Sequence, residues 1–312
     1  MNPDMIIRPP DKRDSSTSKQ LTKRERGEAN RRGSLRAAVV FETIRLEGQQ
    51  ELDRPTAALA FSGLAAGLSM GFSLVASGMI RAALPDTPWR GLLENLGYTL
   101  GFMIVVLGRQ QLFTENTVTA IVPLLDDPKR RATFARVLRL WSIVLAANLI
   151  GAFIFAEAVA HTNTFAAPVK AAFLAIGMQA LSYGFATTLV KGIFAGWLIA
   201  LMVWLLPAAE NARLWVILIV TYVVGAASLS HIIAGSVEAL YAVVNGSASW
   251  QYFFVSFVLP VFIGNSIGGV LLVSMLNYAQ VAPENAESTG SGDYGDENAS
   301  ASALARGPND PA

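Results

Sequence analysis

Two long hydrophobic runs in this chain are each interrupted by a short polar break, and the breaks sit at matching positions in its two halves. The first, Leu112-Phe113-Thr114-Glu115-Asn116, lies inside the apolar run 96–125, and the second, around Ser230 and His231, lies inside 214–244. An Asn-x-Ile-Gly signature follows each, Asn148-Leu149-Ile150-Gly151 and Asn265-Ser266-Ile267-Gly268. The spacings agree, because 148 minus 114 and 265 minus 231 are both 34. Backbone that leaves the helix inside a bilayer survives only if protein buries it or if it lines a wet cavity. A matched pair of interruptions therefore points to a transport site built between two repeats. If the halves are related by inverted symmetry, Thr114 and His231 approach each other near the membrane midplane.

Composition supports a membrane setting. The chain is 53% hydrophobic and 15% charged, against about 25% charged in an ordinary soluble domain. It has no cysteine and two histidines, which excludes disulfides and thiolate chemistry and leaves no cofactor or metal centre to expect. Residues 1–54 read as a cytoplasmic tail, disordered to about Gly33, then offering a short amphipathic helix with Leu35, Val39, Val40 and Ile44 on one face. A stretch this polar leads to the expectation of no cleaved secretory signal. Residues 55–280 form the pore domain, and 281–312, rich in Gly, Ser, Asn and Asp from Pro283, read as a second disordered tail.

A spanning helix needs about 20 apolar residues. The expected spans are 57–81, 97–125 (broken), 138–160, 183–206, 214–244 (broken) and 252–277, with Ala171 to Ser182 as a short interfacial lead-in to the fourth. Lys129, Arg130, Arg131, Arg136 and Arg139 crowd one loop, and Arg213 and the basic tail share its side. Cytoplasmic loops carry the excess of Lys and Arg, so both termini are expected in the cytoplasm of a multi-pass bacterial inner-membrane protein. Gly63, Gly67 and Gly71 form a small-residue stripe suited to close helix packing.

At the breaks, exposed helix ends attract anions. Thr114 and Asn116 offer a hydroxyl and an amide beside an apolar plug of Leu112 and Phe113, and His231 adds an imidazole that changes charge near neutral pH.

Taken together, Leu112-Phe113-Thr114-x-Asn116, Asn148-Leu149-Ile150-Gly151, Lys191-Gly192-Ile193 with Trp204, Ser230-His231-x-Ile233-Ala234 and Gly264-Asn265-Ser266-Ile267-Gly268-Gly269 resemble the formate/nitrite transporter family over about residues 50–280. The resemblance implies an all-α, aquaporin-like inverted repeat of six transmembrane helices with helices two and five broken, assembled as a homopentamer. Each protomer would then carry a pore for a small monovalent anion or its conjugate acid, proton-linked through His231. By position it implies Thr114 and His231 at the centre, Leu112 and Phe113 at a constriction, and Tyr98, Phe102, Ile199 and Val224 along the pore. The chain departs from the pattern at Glu115, where the family has a small residue, and at Gly196 and Gly235, where it has asparagines. A carboxylate gained and amides lost weaken the attraction for a bare anion.

Several charges carry alternatives. Arg109 and Glu115 are expected to pair across the loop, and Lys191 either snorkels or supplies a positive field at the pore. Glu157 and Glu238 reach headgroups, or Glu238 couples to His231 two turns away. Glu157 with His161 makes half a metal site at most. Catalytic constellations are poor, so no enzyme is expected, and nothing points to nucleic acid. The basic tail contacts anionic lipid or gates the pore. The competing readings are the same fold passing a neutral solute or weak base, and a non-conducting regulatory membrane protein.

Overall fold

The computed structural model describes residues 37–281, and every regular element among them is helical. The disorder expected up to Gly33 and beyond Pro283 lies outside the described residues, as does Leu35. The chain runs α1 (Ala37–Asp53), α2 (Thr56–Ala83), α3 (Arg90–Leu107), α4 (Phe113–Thr119), α5 (Ile121–Asp126), α6 (Arg130–His161), α7 (Ala167–Ala180), α8 (Phe185–Leu205), α9 (Arg213–Ala226), α10 (Ala234–Val244) and α11 (Trp250–Val281). Within α11, Phe253–Val258 and Val270–Met275 are wound as π turns. Five helices, α2, α3, α6, α8 and α11, are long and apolar enough to cross a membrane, while α7, α9 and α10 are shorter apolar helices. Phe61 (73% exposed), Trp215 (62%) and Leu276 (59%) stand on the outer surface, a placement that suits hydrocarbon rather than water.

Two sequence expectations change. Ala171 to Ser182 is no lead-in to the fourth span: α7 is a separate helix packed on α2 and α10, with Phe173 and Ile176 buried. The buried face of α1 is Val40, Phe41, Ile44, Gly48 and Leu52, whereas Val39 is exposed.

The helices fall into two copies of one unit, and the register of the repeat is readable residue by residue. In the first part the shift is 129: Gly48 and Gly177 (177 minus 48) each face a main-chain carbonyl, of Thr119 and Glu238, and Gly67 and Gly196 (196 minus 67) each face the backbone of an asparagine. Around the breaks the shift is 119, as for Arg109 and Ser228 (228 minus 109), which have φ of 50° and 49°. Across α6 and α11 it is 117, for Asn148 and Asn265 and for Gly151 and Gly268 (268 minus 151). The shift falls from 129 to 119 because α8, at 21 residues, is shorter than α2, at 28, and α9, at 14, is shorter than α3, at 18.

Both α3 and α9 stop in the same way. The N–H of Arg109 bonds Val106 and that of Gln110 reaches back to Val105, at 3.2 and 3.0 Å; the N–H of Ser228 bonds Gly225 and that of Leu229 bonds Val224, at 2.8 and 2.9 Å. This is the Schellman closure, in which a left-handed residue turns the chain off the helix axis. Glycine is usual there because an L side chain in the left-handed region costs roughly 1–2 kcal/mol. Here arginine and serine occupy it, held by the closure and by an asparagine clamp on the next few residues.

Each repeat supplies one such clamp. Asn148 Oδ1 accepts the Phe113 N–H at 3.0 Å, while its Nδ2 donates to the carbonyls of Gly63 and Gln111 at 2.7 and 2.9 Å. Asn265 repeats the pattern: Oδ1 accepts the Ile232 N–H at 2.9 Å and Nδ2 donates to Gly192 and Ser230 at 2.8 and 2.9 Å. Both asparagines are fully buried, so backbone groups freed by the breaks, which would cost about 1–3 kcal/mol each if left unpaired, are satisfied inside the protein. The asparagine helices approach closely only because the facing residue has no side chain. A Cβ on Gly67 would lie 2.1 Å from Asn148 O, and one on Gly196 would lie 2.4 Å from Asn265 O.

Candidate functional site

The clamps place the two breaks against each other. Phe113 N–H and Gln111 O on one side, with Ile232 N–H and Ser230 O on the other, frame Leu112 and His231 as equivalent residues of the two copies. The equal 34-residue spacing therefore pairs the wrong partners: the repeat mate of His231 is Leu112 (231 minus 112 is 119), and that of Thr114 is Ile233. Thr114 and His231 nonetheless meet. Thr114 Oγ1 lies 2.8 Å from His231 Nε2, and both residues are fully buried.

The imidazole has a fixed role. Its Nδ1 accepts the N–H groups of Ile233 and Ala234 at 3.3 and 3.2 Å, capping the start of α10. An Nδ1 that accepts two donors carries no hydrogen, so we assign the proton to Nε2, from which it donates to Thr114 Oγ1. The threonine hydroxyl hydrogen is then free to turn toward a passing acceptor.

Two cavities lie at opposite ends of α3. Vestibule A, about 390 Å³, is lined by Glu94 and Tyr98 near the start of α3, by Ser228 to Ser230 of the second break, and by Glu238 and Phe257. Vestibule B, about 100 Å³, is lined by Leu107 at the end of α3, by Arg109 to Gln111 of the first break, by Glu115 and Asn116 of α4, by Glu47 and Glu51 of α1, and by Arg213. Between them the rings of Tyr98 and Phe102 lie 5.4 Å apart, and Phe102 meets the His231 ring edge-on at 4.8 Å. Tyr98, Phe102, His231 with Thr114, then Glu115 and Asn116 make a continuous line from A to B.

The family now follows from the sequence. Residues 38–279 match the family profile described as Formate/nitrite transporter. The chain belongs to the formate/nitrite transporter family. It is 43% identical over 246 residues to Inner membrane protein YfdC of Escherichia coli (strain K12), covering 79% of each chain. It is 27% identical over 236 residues to a Probable formate transporter of Methanothermobacter thermautotrophicus, covering 70% of this chain and 82% of that one. A solved pentameric formate channel with formate bound superposes with a TM-score of 0.63 at 20% identity, over 73% of this chain and 98% of that one, which shows a shared fold.

The remaining residues singled out in the sequence have these surroundings in the structure. Phe113 is seated between the rings of Trp141 and Phe262, each 5.4 Å away, because its N–H is held by Asn148. Gly196 lies in the contact of α8 with α11, where no amide side chain fits, so it is a packing residue. Gly235 is likewise filled from outside, for its Cβ would lie 2.6 Å from Phe257 Cζ, and Phe257 lines vestibule A. Ile199 and Val224 are fully buried and line neither vestibule. The Lys191 ammonium donates to Ser228 O at 2.9 Å and sits 4.1 Å from the centre of the Tyr183 ring, so it holds the second break. Asn116 donates to Gln111 Oε1 at 3.1 Å, and Gln111 in turn donates to Glu51 at 2.7 Å, which links the centre to α1. Arg109 does not pair with Glu115; its guanidinium meets Glu47 at 3.3 Å. Sequence reasoning missed Glu47, Glu51, Tyr183 and Phe257, and it noted Asn148 and Asn265 without their clamping role, whose signal was the shared Asn-x-Ile-Gly register.

Proposed function

We propose that the chain is a membrane channel or secondary transporter for a small monovalent anion or its conjugate acid, of the formate or nitrite kind. The observation that carries the reading is the Thr114–His231 contact, a buried hydroxyl and imidazole 2.8 Å apart between two cavities at opposite ends of α3. The aromatic and aliphatic walls between the cavities disfavour a bare charge, since desolvating an ion costs several kcal/mol, whereas a neutral acid needs only the one donor that Thr114 offers. Family membership and the formate-channel relatives support the small-anion class. On this reading α3 to α5 and α9 with α10 are the two broken crossings. Three crossings in each repeat then make the second copy inverted. Both termini face the cytoplasm of an inner membrane, and five copies assemble as in the solved formate channel. His231 links passage to protons by holding, through its Nε2–H, the Thr114 hydroxyl so that its hydrogen turns toward the cargo.

The test is formate uptake into proteoliposomes with an internal pH dye, at several outside pH values, for wild type and His231→Ala. Uptake rises as the outside becomes acidic in wild type, and the variant changes that slope. Equal fluxes for both proteins across the pH range would remove the proton link.

A further inference from the structure

Three aromatic rings line vestibule A: Tyr98 of α3, Tyr183 just before α8, and Phe257 of α11. The first two are engaged, Tyr98 with the Phe102 ring at 5.4 Å and Tyr183 under the Lys191 ammonium at 4.1 Å. Phe257 has a different seat. Its ring stacks on Phe253, at 6.2 Å and 14°, and the tip of the ring rests on Gly235. A Cβ on that glycine would lie 2.6 Å from Phe257 Cζ, and Phe257 is 2% exposed. The Gly235 N–H donates to His231 O at 3.0 Å, so the seat is one helical turn from the Thr114–His231 centre.

The internal repeat shows what the ring replaces. Around the breaks the shift is 119, so the mate of Gly235 is Asn116 (235 minus 119). Each of the two lines a vestibule, Asn116 in B and Gly235 in A. In the first repeat the amide side chain is present, and Trp141 of α6 donates to the Asn116 carbonyl at 3.1 Å while lining neither cavity. In the second the side chain is missing and Phe257 of α11 fills the room. Two features bring the ring there. Glycine lets its tip reach the α10 backbone, and the π turn Phe253–Val258 is wound more widely than α6, which is regular α-helix over Arg130–His161. Turns of this kind inside helices are frequent at functional sites. One position of the repeat therefore presents an amide to B and an aromatic wall to A. An amide selects by hydrogen bonding, whereas a ring selects by shape.

We propose that Phe257 is a specificity-determining residue, whose ring on Gly235 sets the size of the acid that passes from vestibule A to the Thr114–His231 centre and restricts the cargo to one-carbon and comparably small acids. This rests on the channel function proposed for the chain and names the substrate class of that same site. Formic and nitrous acid fall within the limit. Acetic acid adds a methyl group, and lactic acid adds a hydroxylated carbon as well. One such group more or less in a fitted apolar site changes passage about 10- to 200-fold. The ring neither donates nor accepts a hydrogen bond, so its selection is independent of the charges at the mouth of A, where Arg81 is paired with Glu94 and Arg90 with Asp86.

The experiment uses the full chain in proteoliposomes and measures initial uptake of labelled formate, acetate and lactate at neutral and at acidic outside pH, with empty liposomes subtracted. The proteins are wild type, Phe257→Leu, Phe257→Ala and a control, Phe173→Leu, which trims a fully buried ring of α7 that lines neither vestibule. Wild type takes up formate, with acetate and lactate at about a tenth of that rate or less. Phe257→Ala raises the acetate-to-formate ratio about tenfold, with lactate following, and Phe257→Leu raises it by less. Phe173→Leu leaves both ratios at the wild-type level. Should the alanine variant fail to assemble, Phe257→Leu, which keeps buried apolar bulk, carries the test. Equal wild-type rates for the three acids overturn the selector, as do unmoved ratios in Phe257 variants that still take up formate. An equal rise in Phe173→Leu assigns the effect to loosened packing and overturns it too. Wild type that takes up none of the three acids at either pH removes the channel reading itself.

Discussion

Replacing Asn148 with alanine removes three hydrogen bonds at once, from the Phe113 N–H and to the carbonyls of Gly63 and Gln111, at a fully buried position. Side-chain hydrogen bonds in membrane proteins average only about 0.6 kcal/mol, because a polar group set free in the membrane finds another partner. That escape is closed here. Phe113 N–H and Gln111 O belong to backbone that has left the helix, and an unsatisfied buried group costs about 1–3 kcal/mol. Three groups put the expected loss at about 3–9 kcal/mol, with about 2 kcal/mol as the floor from the membrane average. Asn265→Ala loses the equivalent set, Ile232 N–H with the carbonyls of Gly192 and Ser230, and the two losses should agree to within about 1 kcal/mol. Asn148→Asp is worse than alanine, because it turns a carboxylate toward two carbonyls. Reversible unfolding of the detergent-solubilised protein by SDS, followed by circular dichroism, measures all three. A loss below about 1 kcal/mol for Asn148→Ala, or a clear inequality between the two alanine variants, would refute the clamp and the repeat register read from it.

Gly235→Asn, which restores the residue that the family pattern carries, should destabilise the chain by about 1–3 kcal/mol through overpacking against Phe257. Phe257→Ala should recover much of that loss, and simple additivity of the two changes would show that the ring is not the obstacle. Outside the apolar spans, the Thr133 hydroxyl and then the Lys129 N–H hold the Asp127 carboxyl below its ordinary 3.8. A depressed carboxylate stabilises the fold above its unfolded pKa, and that contribution is lost as pH falls through the folded value. Thr133→Val should move the midpoint up toward 3.8 in carboxyl carbon NMR of Asp-labelled protein, and an unmoved midpoint counts against the bond.

The long apolar runs, both breaks and the Asn-x-Ile-Gly signatures were legible in the sequence, because hydrocarbon forces each of them into a narrow range of residue types. The repeat mate of each break residue was not, although the meeting of Thr114 with His231 was. Counting back from Asn148 and Asn265 by an equal number assumes that the copies have equal loops, yet Leu112 stands 36 residues before its asparagine (148 minus 112) and His231 stands 34 before its own (265 minus 231). The clamp hydrogen bonds and the matching left-handed residues Arg109 and Ser228 reveal that two-residue difference. Arg109 was paired with Glu115 because they are near in sequence, and nothing local announces that α1 folds back to place Glu47 at 3.3 Å. Phe113 reads as a plug by type, but the Asn148 bond to its own N–H fixes the backbone that aims its ring at Trp141 and Phe262. Gly196 and Gly235 read as lost amides. Their neighbours, the Asn265 backbone and the Phe257 ring, come from a helix roughly 20–70 residues later in the chain.

The two backbone donors that grip His231 Nδ1 also limit how that ring handles protons. Turning the imidazole over would strip Ile233 and Ala234 of their acceptor and would require the first turn of α10 to open. The one ring hydrogen therefore stays on Nε2, on the Thr114 side, and the Nδ1 lone pair, already shared by two N–H groups, is closed to a second proton. The ring is a cul-de-sac, which rules out a wire running through it from one vestibule to the other. Held in this way the ring stays neutral, and it acts on a passing molecule only through the Thr114 hydroxyl that it orients.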